Sequence, residues 1–264
     1  MTPADEPAMT PRWDPDRYLA FAAERSRPFT DLLARVGTEP ASVVDLGCGP
    51  GHLTEVLLAR WPRATVVGVD SSPDMVRRAR RGSAHPAVTY VQADLRDWRP
   101  ERAPDLLVSA ATLQWVPGHL DLLPGLADRV AGGGCFAFTV PANFDAPSHR
   151  ILRELAAEQP YAAHVGAVER PSAHEAATYL RALARPGWWV DAWETAYLHV
   201  LEGPDPVLRW MSGTGARPVL QALPAGLRER FAAEYGAALR QAHPSEAFGT
   251  VLPFRRVFLV ARRR

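Results

Sequence analysis

Residues 43–52 read VVDLGCGPGH, an apolar run that meets an acid, Asp45, and then three alternate glycines, Gly47, Gly49 and Gly51. The helical pattern HLTEVLLARW (52–61) follows at once, so the stretch is a strand, a tight turn and a helix. Such a turn directs free backbone N–H groups to the carboxyl edge of a sheet, where open α/β folds bind ligands. The spacing narrows which ligand fits. A dinucleotide fingerprint G-x-G-x-x-G needs glycine three positions after Gly49, where the chain has His52, and a phosphate loop needs a lysine that does not follow. Asp45 would oppose a pyrophosphate and could receive an ammonium. Asp70, at the end of the next strand, is placed to accept the hydroxyls of a ribose. Together the two acids suggest an unphosphorylated nucleoside with a cationic tail.

Outward from this turn, short apolar runs at 42–46, 64–70, 87–92, 105–110 and 134–140 alternate with helical patterns at 52–61, 73–81 and 120–130. That alternation predicts a parallel sheet with crossover helices, and runs apolar on both faces suit strands covered above and below. The second half predicts helices over 148–159 and 173–184, a strand over 187–201, helices within 204–243 and a last strand over 254–262. Towards the N-terminus, residues 1–12 carry three prolines and read as a disordered leader. Asp14 caps a helix whose first residue is Pro15, and Pro28 is expected to end that helix. The expected organisation is a single domain over 13–264. It comprises a lid helix (13–36), a donor-binding core (42–140), helical acceptor or lid regions (141–186 and 203–248), and a last strand and tail (249–264).

Lys+Arg 30 against Asp+Glu 29 leaves a formal charge of +1 over 264 residues, without the basic excess of a nucleic-acid binder. Cys48 and Cys135, the two cysteines, give no disulfide framework or metal pattern, so a reducing, cytoplasmic setting is expected. His174 and Glu175 lack H-E-x-x-H spacing, and no metal is expected. Neither an export signal nor an apolar run long enough to span a membrane is read.

VVDLGCGPG (43–51), VVGVDSSPDM (66–75) and VQADLRDW (91–98) resemble, in order, three motifs of class I S-adenosylmethionine-dependent methyltransferases. The resemblance implies a Rossmann-like, doubly wound, seven-stranded sheet, mostly parallel with an antiparallel last strand, plus helical lid insertions. It implies S-adenosylmethionine as donor and S-adenosylhomocysteine as product. Gly47, Gly49 and Gly51 would receive the methionine part, Asp70 the ribose, Met75 the face of the adenine, and Asp94 with Leu95 its edge. Asp45, Cys48, Ser71 and Ala110 complete the expected donor site. After the fourth strand the chain lacks the Asn/Asp-Pro-Pro-Tyr arrangement of many amine methyltransferases; Gln114 and Trp115 stand there instead, expected to face the acceptor.

Segments 13–36, 113–119, 141–156, 190–201, 213–220 and 253–263 further resemble the trans-aconitate 2-methyltransferase family, nearly end to end from Trp13. That implies esterification of one carboxylate of a small tricarboxylate; no nucleic-acid or membrane partner is expected, and a monomer is the expected state although the sequence carries no signal for it. An ionised carboxylate is already a nucleophile, so positioning and exclusion of water take the place of a general base. The carboxylates that do not react call for arginine forks. Tyr18, Phe21, Ala22 and Arg25 share one helical face, and a break before Pro28 would turn Arg27 inward. Arg217, and one of Arg255 and Arg256, whose side chains must point to opposite faces of a strand, are further candidates. Asn143 and His149 either donate to a carboxylate or cap the nearby helix. The same donor site would also serve a methyltransferase of another small acid or natural product, or a protein that binds the donor without transferring from it.

Overall fold

Five β-branched, apolar runs form the parallel part of the sheet. β1 (Ser42–Leu46) lies between β2 (Thr65–Asp70) and β4 (Leu106–Ala110), with β3 (Val88–Gln92) outside β2 and β5 (Cys135–Pro141) outside β4. β6 (Trp188–Leu201) and β8 (Gly249–Arg263) extend the order to β3-β2-β1-β4-β5-β8-β6, and the two-residue β7 (Ser245–Glu246) pairs with β8 off this path. The last strand is antiparallel to β5, from Cys135↔Arg262 to Pro141↔Arg256. This is the expected sheet, with one short extra strand. The structure, a computed structural model, describes residues 22–166, 168 and 170–264, with the backbone alone at Ala22, Ala23 and Arg25. The leader, the Asp14-Pro15 helix start, Tyr18 and Phe21 lie outside the described residues, as does the side chain of Arg25.

The chain divides into two compact units, one holding, of the described residues, 22–142, Ser172–Tyr197 and Arg255–Arg264. Within it, Phe136, Phe138 and Val140 of β5 and Val257, Leu259 and Ala261 of β8 share a core with Leu123 and Leu126 of the crossover helix His119–Ala127 and with Tyr179 and Leu183 of the helix Ala176–Leu183. Strand parity explains this: every second residue faces that core and its neighbours face away. The helix Pro73–Gly82 starts on Ser72, whose hydroxyl accepts from the Met75 N–H, with Pro73 in its first turn and Arg80 and Arg81 in its last.

The helix of residues Ala22–Ala34, α1, departs from expectation. It continues through Pro28 instead of ending there. Phe29, Leu32, Leu33 and Val36, at helical spacing, are all at most 2% exposed, and α1 packs against β5. Burying four large side chains at about 1.5–3 kcal/mol each outweighs the roughly 3 kcal/mol that an interior proline costs. The second half of the expected lid helix is therefore core.

The other unit includes Asn143–Pro171 and Leu198–Phe254. Its helices are Pro147–Ala156, Ala162–Val165, Pro206–Ser212, Arg217–Ala222 and the long Ala225–Ala242. Phe231, Tyr235 and Leu239 of the long helix are buried; the Tyr235 hydroxyl donates to the Ser148 carbonyl (2.8 Å) and the Tyr161 hydroxyl to Glu234 (2.7 Å). Among the described residues no helix is long and apolar enough to cross a membrane.

Phe29→Ala should lower the free energy of unfolding by about 3–5 kcal/mol, the usual loss for a fully buried aromatic. A urea melt that hardly moved would return this stretch to the role of a mobile lid.

Candidate active site

The glycine loop begins where β1 ends, and its conformation requires glycine: φ is +76° at Gly47, +55° at Gly49 and +82° at Gly51. A Cβ on Gly47 would fall 2.1 Å from Thr112 Oγ1, and one on Gly51 2.6 Å from the Tyr90 hydroxyl. The loop differs from the expected cradle of free amides. Gly47 and Cys48 donate to the Val69 carbonyl (2.7 and 3.1 Å), Gly49 donates to Asp70 Oδ2 (2.9 Å) and Gly51 to the Cys48 carbonyl (3.2 Å). Pro50 has no N–H. The loop's hydrogen bonds tie it to β2, and the polar groups with capacity left for a ligand are the acids rather than the amides.

Asp45 has the most such capacity. It is 1% exposed, and neither carboxylate oxygen has a hydrogen-bond partner among the described residues. Burial pushes its carboxyl up to about 7, and the charge of Asp70 adds to the rise. A buried, unsatisfied carboxylate calls for a cation, and the α-ammonium of a methionine moiety would be one. Asp70 is raised by burial while accepting from Gly49 and from the Ser72 N–H (2.8 Å); each oxygen keeps a lone pair for a hydroxyl. These residues fit S-adenosylmethionine.

The remaining donor candidates fall into place unequally. Met75 and Leu95 are buried, and Ser71 is exposed. The Cys48 thiol is buried against Val76, Ala79 and Tyr90, and its pKa is pushed up by that burial and by Asp45 and Asp70, so it serves as core. Asp94 is held below the usual carboxylate range by a two-pronged ion pair from Arg96 (2.6 Å at its shortest), which occupies the oxygens expected to meet the adenine.

At the end of β4, next to Ala110, Ala111 takes φ +53°, a left-handed conformation unusual for alanine. Thr112 then places its hydroxyl 3.2 Å from both the Gly47 and Ala110 carbonyls, a link between the two loops that the sequence did not flag. Gln114 is buried: its amide donates to the Ala111 carbonyl (2.6 Å), while its side-chain oxygen has no hydrogen-bond partner among the described residues. Trp115 is half-buried.

Of the expected acceptor arginines, Arg27 is exposed and lies over the Tyr197 ring (5.1 Å). Arg255 is also exposed, donating to the Ala142 carbonyl (3.0 Å) and to Glu194 (3.2 Å), whereas Arg256 on the opposite face is 6% exposed. In the helical unit, Arg217 is buried and its pKa is lowered by burial to about 10. His149, lowered by burial and by Arg153 to about 4, borders a solvent-open cavity of ≈ 560 Å³ with Phe144, Arg153, Arg170 and Gly215. Asn143 is buried, and its carbonyl accepts the Ala146 N–H just before the helix Pro147–Ala156. Among the described residues no cluster of three or more His, Cys, Asp or Glu could hold a metal.

Residues 43–134 match the family described as Methyltransferase domain. The fold is also that of a chain in a complex of the Haloferax volcanii Trm112 methyltransferase activator, with a TM-score of 0.55 at 18% identity, over 94% of this chain and 92% of that one. Fold and loop thus define an S-adenosylmethionine-dependent methyltransferase of class I. The protein named trans-aconitate 2-methyltransferase in Streptomyces avermitilis is 50% identical, covering 97% of this chain and 99% of that protein, and the one so named in Mycobacterium tuberculosis is 46% identical over 94% and 96%. The chain belongs to the trans-aconitate 2-methyltransferase family.

The raised Asp45 carboxyl makes donor binding depend on pH. The cationic donor selects the ionised form, so its affinity should fall about tenfold per unit below pH 7 and flatten above it, with proton release in calorimetry near neutrality. For the ligand-free protein the sign is opposite. Between the ordinary carboxyl value and about 7 the native state holds the extra proton, so Asp45 makes stability decline as pH rises through that window. Asp45→Asn should therefore melt higher than the parent at pH 8 while losing donor affinity; a variant that melted lower would show that the carboxylate has a partner within the chain.

Proposed function

We propose that the protein transfers the methyl group of S-adenosylmethionine to a carboxylate of trans-aconitate, giving a methyl ester. The observation that carries this reading is the near-full-length identity of about half to relatives that bear that name. The donor supplies an electrophilic methyl on a sulfonium. In this reading Asp45 receives its ammonium, Gly47, Gly49 and Gly51 let the loop approach it, Asp70 takes the ribose, and Met75 and Leu95 provide apolar surface for the adenine.

The chemistry of the residues after β4 favours an acceptor that needs no base. His119, the next histidine after Gln114 and Trp115, is buried, with one ring nitrogen 3.2 Å from the Val116 carbonyl and the other 2.7 Å from the Tyr179 hydroxyl. Its pKa is lowered by burial, so it is a poor proton acceptor as well as an enclosed one. A carboxylate, ionised at neutral pH, makes no such demand. The buried amide of Gln114 and the ring of Trp115 then serve to orient the acceptor and to exclude water. A cytoplasmic setting belongs to the same reading, supported by two buried, unpaired thiols.

Incubation with S-adenosylmethionine and trans-aconitate should yield one monomethyl ester by mass spectrometry, with S-adenosylhomocysteine in equal amount. Ester from other acids alone would move the acceptor to a different small acid, and turnover of phenols or alcohols in preference to any acid would overturn the carboxylate chemistry.

A further inference from the structure

The loop after β3, which carries Asp94 and Leu95, is held by an arginine 34 residues beyond Leu95 in the chain. Arg129 follows the crossover helix His119–Ala127 and is half-buried. Two of its guanidinium nitrogens serve three carbonyls of the loop: one donates to Leu95 and to Trp98 (2.8 Å each), the other to Arg96 (3.2 Å). Hydrogen bonds from a cation are roughly twice as strong as neutral ones, so together they fix the turn they reach. Arg99, from an exposed position, also donates to the Arg96 and Trp98 carbonyls (2.8 and 2.9 Å). Among the described residues the Leu95 carbonyl is reached by Arg129 alone.

The first peptide of this turn joins Asp94 to Leu95. Its carbonyl accepts the N–H groups of Asp97 (3.2 Å) and Trp98 (2.8 Å) within the turn. In a planar trans peptide the N–H lies opposite the carbonyl, so the Leu95 N–H is directed out of the turn, and it donates to no group among the described residues. Both Asp94 oxygens are engaged by Arg96, so recognition of a base by this loop falls to the backbone. We infer that Arg129 is a positioning residue for the base of the donor: it clamps the turn whose first peptide presents the Leu95 N–H to an acceptor nitrogen of adenine. The inference rests on the placement of the adenine at Leu95 proposed above and names what holds that contact. Adenine offers N1 as an acceptor. Hypoxanthine carries a proton at N1 and would set donor against donor, leaving both unpaired.

The test measures, by calorimetry, binding of S-adenosylhomocysteine and of S-inosylhomocysteine, which differ only in the base, to the parent and to Arg129→Ala, Arg129→Lys and Arg99→Ala. The parent should favour the adenine compound about tenfold or more, the cost of one unpaired donor. Arg129→Ala should weaken the adenine compound about tenfold and the hypoxanthine compound hardly at all, so that the preference collapses. Lysine, with the charge but no fork, should restore part of the preference, and Arg99→Ala, which leaves the Leu95 carbonyl held, should keep it. If Arg129 merely braces the fold, alanine will lower the melting temperature while the two compounds weaken alike or not at all, and the inference fails. It fails too if Arg99→Ala abolishes the preference as fully as Arg129→Ala. Should alanine not fold, lysine carries the test, and a preference equal to the parent's overturns the inference. A parent that binds the two compounds equally would overturn the placement of the adenine at Leu95, and the inference with it.

Discussion

A carboxylate sealed from water, without a partner among the described residues, is the constraint around which the sheet's carboxyl edge is organised. Asp45 interrupts a strand whose other members, Val43, Val44 and Leu46, are ordinary core. Selection for stability alone would replace it, because desolvating a charge is opposed by nothing nearby and is made worse by Asp70. What surrounds Asp45 is best understood as making that unfavourable group useful. The positive φ angles at Gly47, Gly49 and Gly51 carry the chain round the acid, and the loop's N–H groups are spent on Val69, Asp70 and Cys48. An anion would find no amide donors among these residues, whereas a cation finds a carboxylate that gains solvation by binding it.

The end of β4 completes the same design. Thr112 can approach the Gly47 and Ala110 carbonyls only because Gly47 has no side chain, and it can reach both because Ala111 turns left-handed. The glycine loop and the segment carrying Gln114 therefore share a hydrogen bond. For a reaction that depends on aligning a nucleophile with a methyl group, rigidity between those two segments is a larger asset than any acid or base.

How far this was legible in the sequence depends on the range of the forces involved. The parallel strands and the glycine turn were readable because local period and local composition determine them. Pro28 was misjudged for the opposite reason: the local rule is sound, and the burial of Phe29, Leu32, Leu33 and Val36 against the sheet overrode it. The opposition of Arg255 and Arg256 followed from strand parity, but which one is buried depends on the pairing of Arg256 with Pro141, a register that only the folded sheet defines. Thr112 and Tyr197 carried no signal, since an isolated threonine and a tyrosine in an alternating strand look like filler until Gly47 and Asp31 are brought to them. The loop amides were expected to be free because sequence does not show that β2 has already claimed them.

The carboxyl edge of the sheet is also polarised. Its β2–β1 side carries Asp70 and Asp45, and its β5–β8 side carries Arg256 with Arg27 nearby. A cationic sulfonium and a polyanionic acid are the two reactants that such an edge would sort, each attracted to one side and repelled from the other. The same polarity favours departure of the products. Transfer of the methyl removes the positive charge of the sulfonium and one negative charge of the acid, so the long-range attraction across the edge weakens when the reaction is complete, while the ammonium that would face Asp45 and the carboxylates that do not react keep their charges. A site built from opposite charges on the two sides of β4 would thus hold reactants and products through the charges that persist, and tell them apart only by those the reaction cancels.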